Sequence, residues 1–71
     1  MSEEVTAPMS GTIWKLHVKV GDQVKYEDEL MILEALKMEN PIYAPADGTV
    51  TDVKVSENDQ VEANQVLIVI D

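Results

Sequence analysis

Side chains able to act as nucleophile, base or metal ligand are scarce in this chain of 71 residues: one histidine, no cysteine, and serine only at Ser2, Ser10 and Ser56. A working nucleophile needs a neighbouring base, and that base needs a third group to orient it. His17 falls between Leu16 and Val18 in an alternating segment, on the side expected to face solvent, and there is no second histidine for a metal pair. The acidic clusters "YEDE" (26–29) and "SEND" (56–59) lack the glycine and ligand spacing of a calcium loop, so they read as solvated turns. Trp14 serves either packing or contact with a partner. No catalytic residue and no metal site emerges, which leaves amine chemistry on Lys15, Lys19, Lys25, Lys37 and Lys54.

Lys37 stands apart from the other four. It lies in "EALKMEN", residues 34–40, a stretch without Gly, Pro or Asp that joins two runs reading as strands. Tight hairpins favour Asn-Gly or Asp-Gly at their tips, because positive φ is costly for other residues. Here Leu36 and Lys37 occupy the expected tip, and Leu36 and Met38 place large apolar groups where a loop is ordinarily polar. Local rules are broken preferentially at functional sites, and exposed apolar groups around a turn mark a recognised surface.

The elements that position this lysine must come from one small domain, residues 1–71, with a single thin core. Without cysteine, neither disulfides nor a thiolate zinc site can hold the fold, so apolar packing must. No run approaches the roughly 20 apolar residues of a membrane helix, and "MSEEVTAP" is acidic where a signal peptide would be basic and then apolar. These features predict a soluble protein without a membrane span, cytoplasmic or in an organellar matrix if from a eukaryote. A formal charge of −9 argues against nucleic acid and anionic membranes as partners.

An internal repeat supplies the architecture. At an offset of 37 residues, 5–34 aligns without a gap to 42–71, and nine of thirty pairs are identical, including Ala7/Ala44, Pro8/Pro45, Gly11/Gly48 and the "DQV" of 22–24 and 59–61. Ordinary composition would supply roughly two such identities. Both copies are rich in Thr and β-branched residues, lack a sustained 3.6-residue stripe, and end in continuous apolar runs, "LMIL" and "VLIVI". In both, the alternation slips after Ile13 or Val50, which predicts a bulge that returns Leu16, Val18 and Val20, or Val53 and Val55, to the inward side. Gly21 and Asn58 precede the shared "DQV" and predict the same left-handed turn. Two four-strand units, too small to bury a face alone, predict an all-β flattened barrel or sandwich of two four-stranded antiparallel sheets with pseudo-two-fold symmetry, a barrel-sandwich hybrid. Residues 35–41 join the copies as a hairpin, with Lys37 exposed at its centre and the chain ends expected at the opposite end.

From "APMSGTI" through "VGDQV", "LMILEALKME" and "APADGTV" to "VEANQVLIVI", the chain resembles a biotinyl domain, the biotin carboxyl carrier module of the biotinyl/lipoyl attachment family. The family's attachment motif is usually Ala-Met-Lys-Met; here it reads Ala35-Leu36-Lys37-Met38, with Leu36 replacing methionine at similar volume. The resemblance implies covalent biotin on Lys37, and recognition by biotin protein ligase through Glu34, Ala35, Leu36, Met38 and Glu39. It further implies a non-catalytic carrier that moves carboxyl groups between biotin carboxylase and a carboxyltransferase or decarboxylase. The gapless repeat leaves no room for the protruding thumb of the common bacterial acetyl-CoA carboxylase carriers. Two alternatives stay open: a lipoyl carrier for acyl transfer, which usually shows Asp-Lys-Ala at this turn, and an unmodified hammerhead-like structural adaptor.

Overall fold

Eight strands and no helix make up the computed structural model, which describes residues 2–71. They are β1 (Glu3–Thr6), β2 (Gly11–Leu16), β3 (Gln23–Val24), β4 (Glu29–Ala35), β5 (Met38–Tyr43), β6 (Gly48–Val53), β7 (Gln60–Val61) and β8 (Val66–Ile70). Two four-stranded antiparallel sheets form, in the orders β1-β8-β6-β3 and β5-β4-β2-β7. The expected all-β, two-sheet architecture is therefore present. Each sheet mixes strands from both copies of the repeat, so the copies interleave rather than stack as separate units.

Burial follows the pleat except at Leu30–Met31 and Leu67–Ile68, neighbouring residues that are both enclosed where the register shifts against β5 and β1. Alternate residues of a strand face opposite sides of a sheet, and Ile13, Leu30, Met31, Leu33, Val50, Leu67, Ile68 and Ile70 are almost wholly enclosed between the layers. No polar or charged residue is buried among them. A chain of 71 residues without disulfides has little stability with which to offset a buried unpaired charge.

The slips in alternation are bulges at matching places: register shifts between Ile13 and Lys15 against β4, and between Val50 and Asp52 against β8. An extra residue on one strand turns the following side chains back to the inner face, leaving Leu16, Val18 and Val53 packed against the core and Val55 buried. Val20 departs from the expectation. It is exposed because it lies inside the turn that the Asp22 amide closes by donating to the Lys19 carbonyl oxygen, whereas Val18 precedes that turn.

The turns carry the polar chemistry of the acidic clusters. Asp22 and Asp59 accept hydrogen bonds from the amides of Lys19 and Ser56, while Asp28 and Gln65 accept from those of Lys25 and Glu62. Side chains that bond to backbone nearby close turns in this way. Gly21 and Asn58 both have positive φ, 98° and 75°. Strand β1 pairs with β8 in the register Glu3↔Ile70, so the chain ends lie side by side, in the sheet that does not contain Lys37.

Candidate functional site

Lys37 occupies a two-residue turn. Strands β4 and β5 are paired out to Ala35↔Met38, leaving only Leu36 and Lys37 between them. Both residues have positive φ, 54° and 61°, the conformation of a type I′ hairpin, whose twist matches that of the strands it joins. Neither residue is the Asn or Gly that this conformation prefers. The pairing fixes the Lys37 backbone at the apex of the hairpin, and its side chain is exposed.

The base of the turn is rigid for reasons that can be traced residue by residue. Leu33 and Ala35 are buried, which anchors the last turns of the β4 pleat in the core. Behind them, β2 comes close because residue 11 is glycine: a Cβ there would stand 2.5 Å from the Glu34 carbonyl oxygen and 3.1 Å from the Ala35 Cβ. Across the hairpin, the Asn40 Nδ2 donates to the carbonyl oxygens of Met38, at 3.2 Å, and Leu33, at 3.4 Å, tying the two strands just below the tip. Asn40 sits opposite Leu33 in register. An amide at an inward-facing position was the available sign of this role, and neither Gly11 nor Asn40 was singled out for it by the sequence.

The turn's surface is apolar next to charge. Leu36 is 87% exposed and Met38 63%, although both are large hydrophobic side chains. One step down the hairpin, Glu34 and Glu39 face each other directly across β4 and β5, both exposed. Like charges opposite one another destabilise a strand pair. No ion pair engages Lys37 among the described residues. Glu34, Ala35, Leu36, Lys37, Met38 and Glu39 thus come together as one tip: an amine at the apex, two apolar shoulders, one buried alanine and a carboxylate pair beneath.

The other candidates lie elsewhere. The His17 Nε2 is 2.7 Å from Glu29 Oε2, and both side chains are exposed on the same sheet, below the hairpin. Lys54 is paired with Asp52 at 2.7 Å; this hydrogen-bonded ammonium holds the Asp52 carboxyl below the usual carboxylate range, and Asp52 in turn holds Lys54 above the usual lysine range. Lys19 lies 3.8 Å from Asp22, and Lys15 places its ammonium 5.4 Å from the centre of the Trp14 ring. These lysines rest against side chains of their own strand or turn. Among the described residues, no three of His, Cys, Asp and Glu cluster closely enough to hold a metal ion.

An exposed amine on a two-residue turn can carry a group by amide linkage, and comparison with known proteins identifies the family to which the chain belongs. Residues 3–70 match the family model of biotin and lipoyl domains, described as biotin-requiring enzyme. A biotin/lipoyl attachment protein of Bacillus subtilis is 52% identical over 40 residues, covering 56% of this chain and 55% of that protein. A biotin carboxyl carrier protein of Streptococcus mutans is 63% identical over 38 residues, covering 54% of this chain but 29% of its own length. The alignments therefore span about half of the first relative and less than a third of the second. Among solved structures, the urea carboxylase of Kluyveromyces lactis superposes with a TM-score of 0.91 at 33% identity, over 99% of this chain and 6% of that one. With the family model covering nearly every residue and the fold matching along the whole length, this chain belongs to the biotin/lipoyl family of biotin-requiring enzymes.

Proposed function

We propose that the chain is a biotin carboxyl carrier and that Lys37 is its attachment residue. The observation that carries this reading is the two-residue turn: in a family member, one lysine alone sits at positive φ between exposed Leu36 and Met38, on a hairpin braced by Gly11 and Asn40. Lysine ammonium groups in general are protonated at neutral pH and need a partner to remove the proton before they attack. Biotin protein ligase would supply that base. The Lys37 Nζ then attacks the carbonyl of biotinyl-AMP; the new amide bond forms as AMP leaves and the amine proton passes to the ligase's base or water. Glu34, Ala35, Leu36, Met38 and Glu39 are the recognition residues around the amine.

Biotin, when bound, supplies the ring that accepts and gives up a carboxyl group. The chain's own part is positional: it fixes the root of a long flexible stem and leaves the far end free to reach two sites in turn. Reach and effective concentration are what a tethered carrier provides, while catalysis belongs to the partners. Those partners are biotin carboxylase and a carboxyltransferase or decarboxylase. A rigid hairpin serves this better than a mobile loop, because the tether's origin stays constant between visits.

Co-expression with biotin protein ligase followed by intact-mass measurement tests the assignment. One biotin adduct on the wild type and none on Lys37→Ala is the expected result. An adduct that survives Lys37→Ala would overturn the attachment residue, and a lipoyl adduct under native expression would turn the reading toward acyl transfer.

A further inference from the structure

The repeat provides an internal control, because each position on one sheet has a counterpart 37 residues away on the other. On the outer face of the sheet that bears Lys37, the exposed Trp14 lies at the β2 bulge, and Lys15, Ile32 and Pro41 stand side by side across β2, β4 and β5. The Glu34/Glu39 carboxylates occupy the neighbouring row, between this strip and the turn. The counterparts of Trp14 and Pro41 are the polar Thr51 and the charged Glu4, while Lys15 stands against Asp52 and Ile32 against the equally apolar Val69. Those polar side chains are largely satisfied within their own sheet: the Thr51 hydroxyl donates to the Val69 carbonyl at 3.3 Å, and Asp52 is paired with Lys54. The bulge, the pleat and the strand pairing are shared, so folding alone does not call for an indole on one face and a hydroxyl on the other. Trp14 is 42% exposed, an expensive place to leave an aromatic ring uncovered.

We infer that the outer face of the β5-β4-β2-β7 sheet, centred on Trp14 and Ile32 and bordered by Glu34 and Glu39, is the docking surface for biotin protein ligase; this rests on the attachment reading of Lys37. Reach selects this occupant over a carboxylase. The Nζ of a lysine lies only about 6 Å from its Cα, so an enzyme acting on that atom must close around the turn and press against the protein beside it. An enzyme acting at the far end of the completed stem has no such need. Specific interfaces cover about 800 Å² on each partner, more than a two-residue turn can present, so the ligase must lie along one flank of the hairpin. Of the exposed aromatic residues among those described, Tyr26 lies in the turn after β3 and Tyr43 at the far end of β5, while Trp14 stands at the β2 bulge on the outer face that bears Glu34 and Glu39; Trp is enriched among interface hot spots. Charge completes the match: the carboxylate pair, on a chain of net charge −9, suits a ligase surface presenting arginine or lysine, with arginine also able to stack on the indole.

The experiment is steady-state biotinylation of the whole chain by biotin protein ligase with biotin and ATP, varying the carrier concentration. Trp14→Thr places at residue 14 the side chain that the fold already accepts at residue 51. It should raise KM about tenfold and leave kcat unchanged. Ile32→Thr should raise KM in the same direction, and Thr51→Trp on the opposite sheet should leave it unchanged. As a readout without chemistry, Lys37→Arg should inhibit wild-type modification competitively, and the Trp14→Thr/Lys37→Arg double variant should need about tenfold more protein for the same inhibition. An unchanged KM in both Trp14→Thr and Ile32→Thr, with the wild type still biotinylated, overturns the docking surface and leaves Lys37 standing. A fall in kcat alone would likewise overturn docking, since Trp14 would then be positioning the lysine. No modification of the wild type would overturn the Lys37 reading and the docking surface with it.

Discussion

Replacing Leu36-Lys37 by Asn-Gly tests whether the attachment turn stores backbone strain. Both native residues sit in the left-handed region, at φ 54° and 61°, which costs an ordinary L-residue about 1 kcal/mol or more. Asn tolerates that region and Gly enters it freely, although glycine also gains about 0.4–1 kcal/mol of freedom in the unfolded chain, which offsets part of the relief. Leu36 is 87% exposed, so little packing is lost on its removal. The expected gains are about 0.5–1 kcal/mol for Leu36→Asn and about 1–2 kcal/mol for the double variant. For a domain of this size each kcal/mol moves Tm by about 4–8 °C, so calorimetry should place the double variant about 4–16 °C above the wild type. Leu36→Ala is the control, since it removes the apolar side chain but keeps the Cβ that makes positive φ costly. No rise in the double variant, or an equal rise in Leu36→Ala, would refute the claim that the strain lies in the backbone.

Three further outcomes follow from the same physics. Glu27 has φ 71° where its counterpart Asn64 has φ 70°; Glu27→Asn should add about 0.5–1 kcal/mol of stability and Asn64→Glu should remove a similar amount, read as urea midpoints. Gly11→Ala should cost about 1–3 kcal/mol, because its Cβ would meet the fixed Glu34 carbonyl oxygen. Gly48→Ala should cost a similar amount in the same thermal scan, since its Cβ would stand 2.5 Å from the branch methyl Cγ2 of the buried, χ1-restricted Ile70 and 3.0 Å from the Asp71 carbonyl oxygen. The Asp52 carboxyl is held low by Lys54, so its folded value lies below its unfolded one. Its contribution is therefore present above the ordinary carboxylate range and is lost as pH falls through the lowered value. The stability difference between wild type and Asp52→Asn should shrink between pH 7 and pH 3 in urea titrations.

How much of this could be read from the chain depends on what each signal encodes. Alternation encodes which face a residue takes, so the slips after Ile13 and Val50 located both bulges, and the continuous runs located the buried β4 and β8. The same rule held through Val18 and Val55, past the ends of their strands, and failed at Val20, which lies inside the turn closed between Lys19 and Asp22. Periodicity carries no information about which strand lies alongside, and the interleaving of the two copies was accordingly invisible. Positive φ was legible at Gly21 and Asn58 from residue type, and at Leu36-Lys37 from the shortness of the hairpin. It was not legible at Glu27, whose side chain argues against it. The tip residues 34–39 could be named from the motif, but the braces at Gly11 and Asn40 act through close approach and a side-chain amide, and only coordinates place those.

Strand interleaving has a consequence in time. A ribosome releases β4, the turn and β5 well before β7 and β8 exist, yet β2 pairs with β7, and β6 needs both β3 and β8. An isolated two-stranded hairpin is marginally stable in water, so the early β4–β5 segment cannot hold Leu36 and Lys37 in their strained geometry alone. The braced turn comes into being only when the last strand has been threaded between its neighbours. On the attachment reading of Lys37, an enzyme that reads that geometry would act on this turn only after β7 and β8 have joined their sheets.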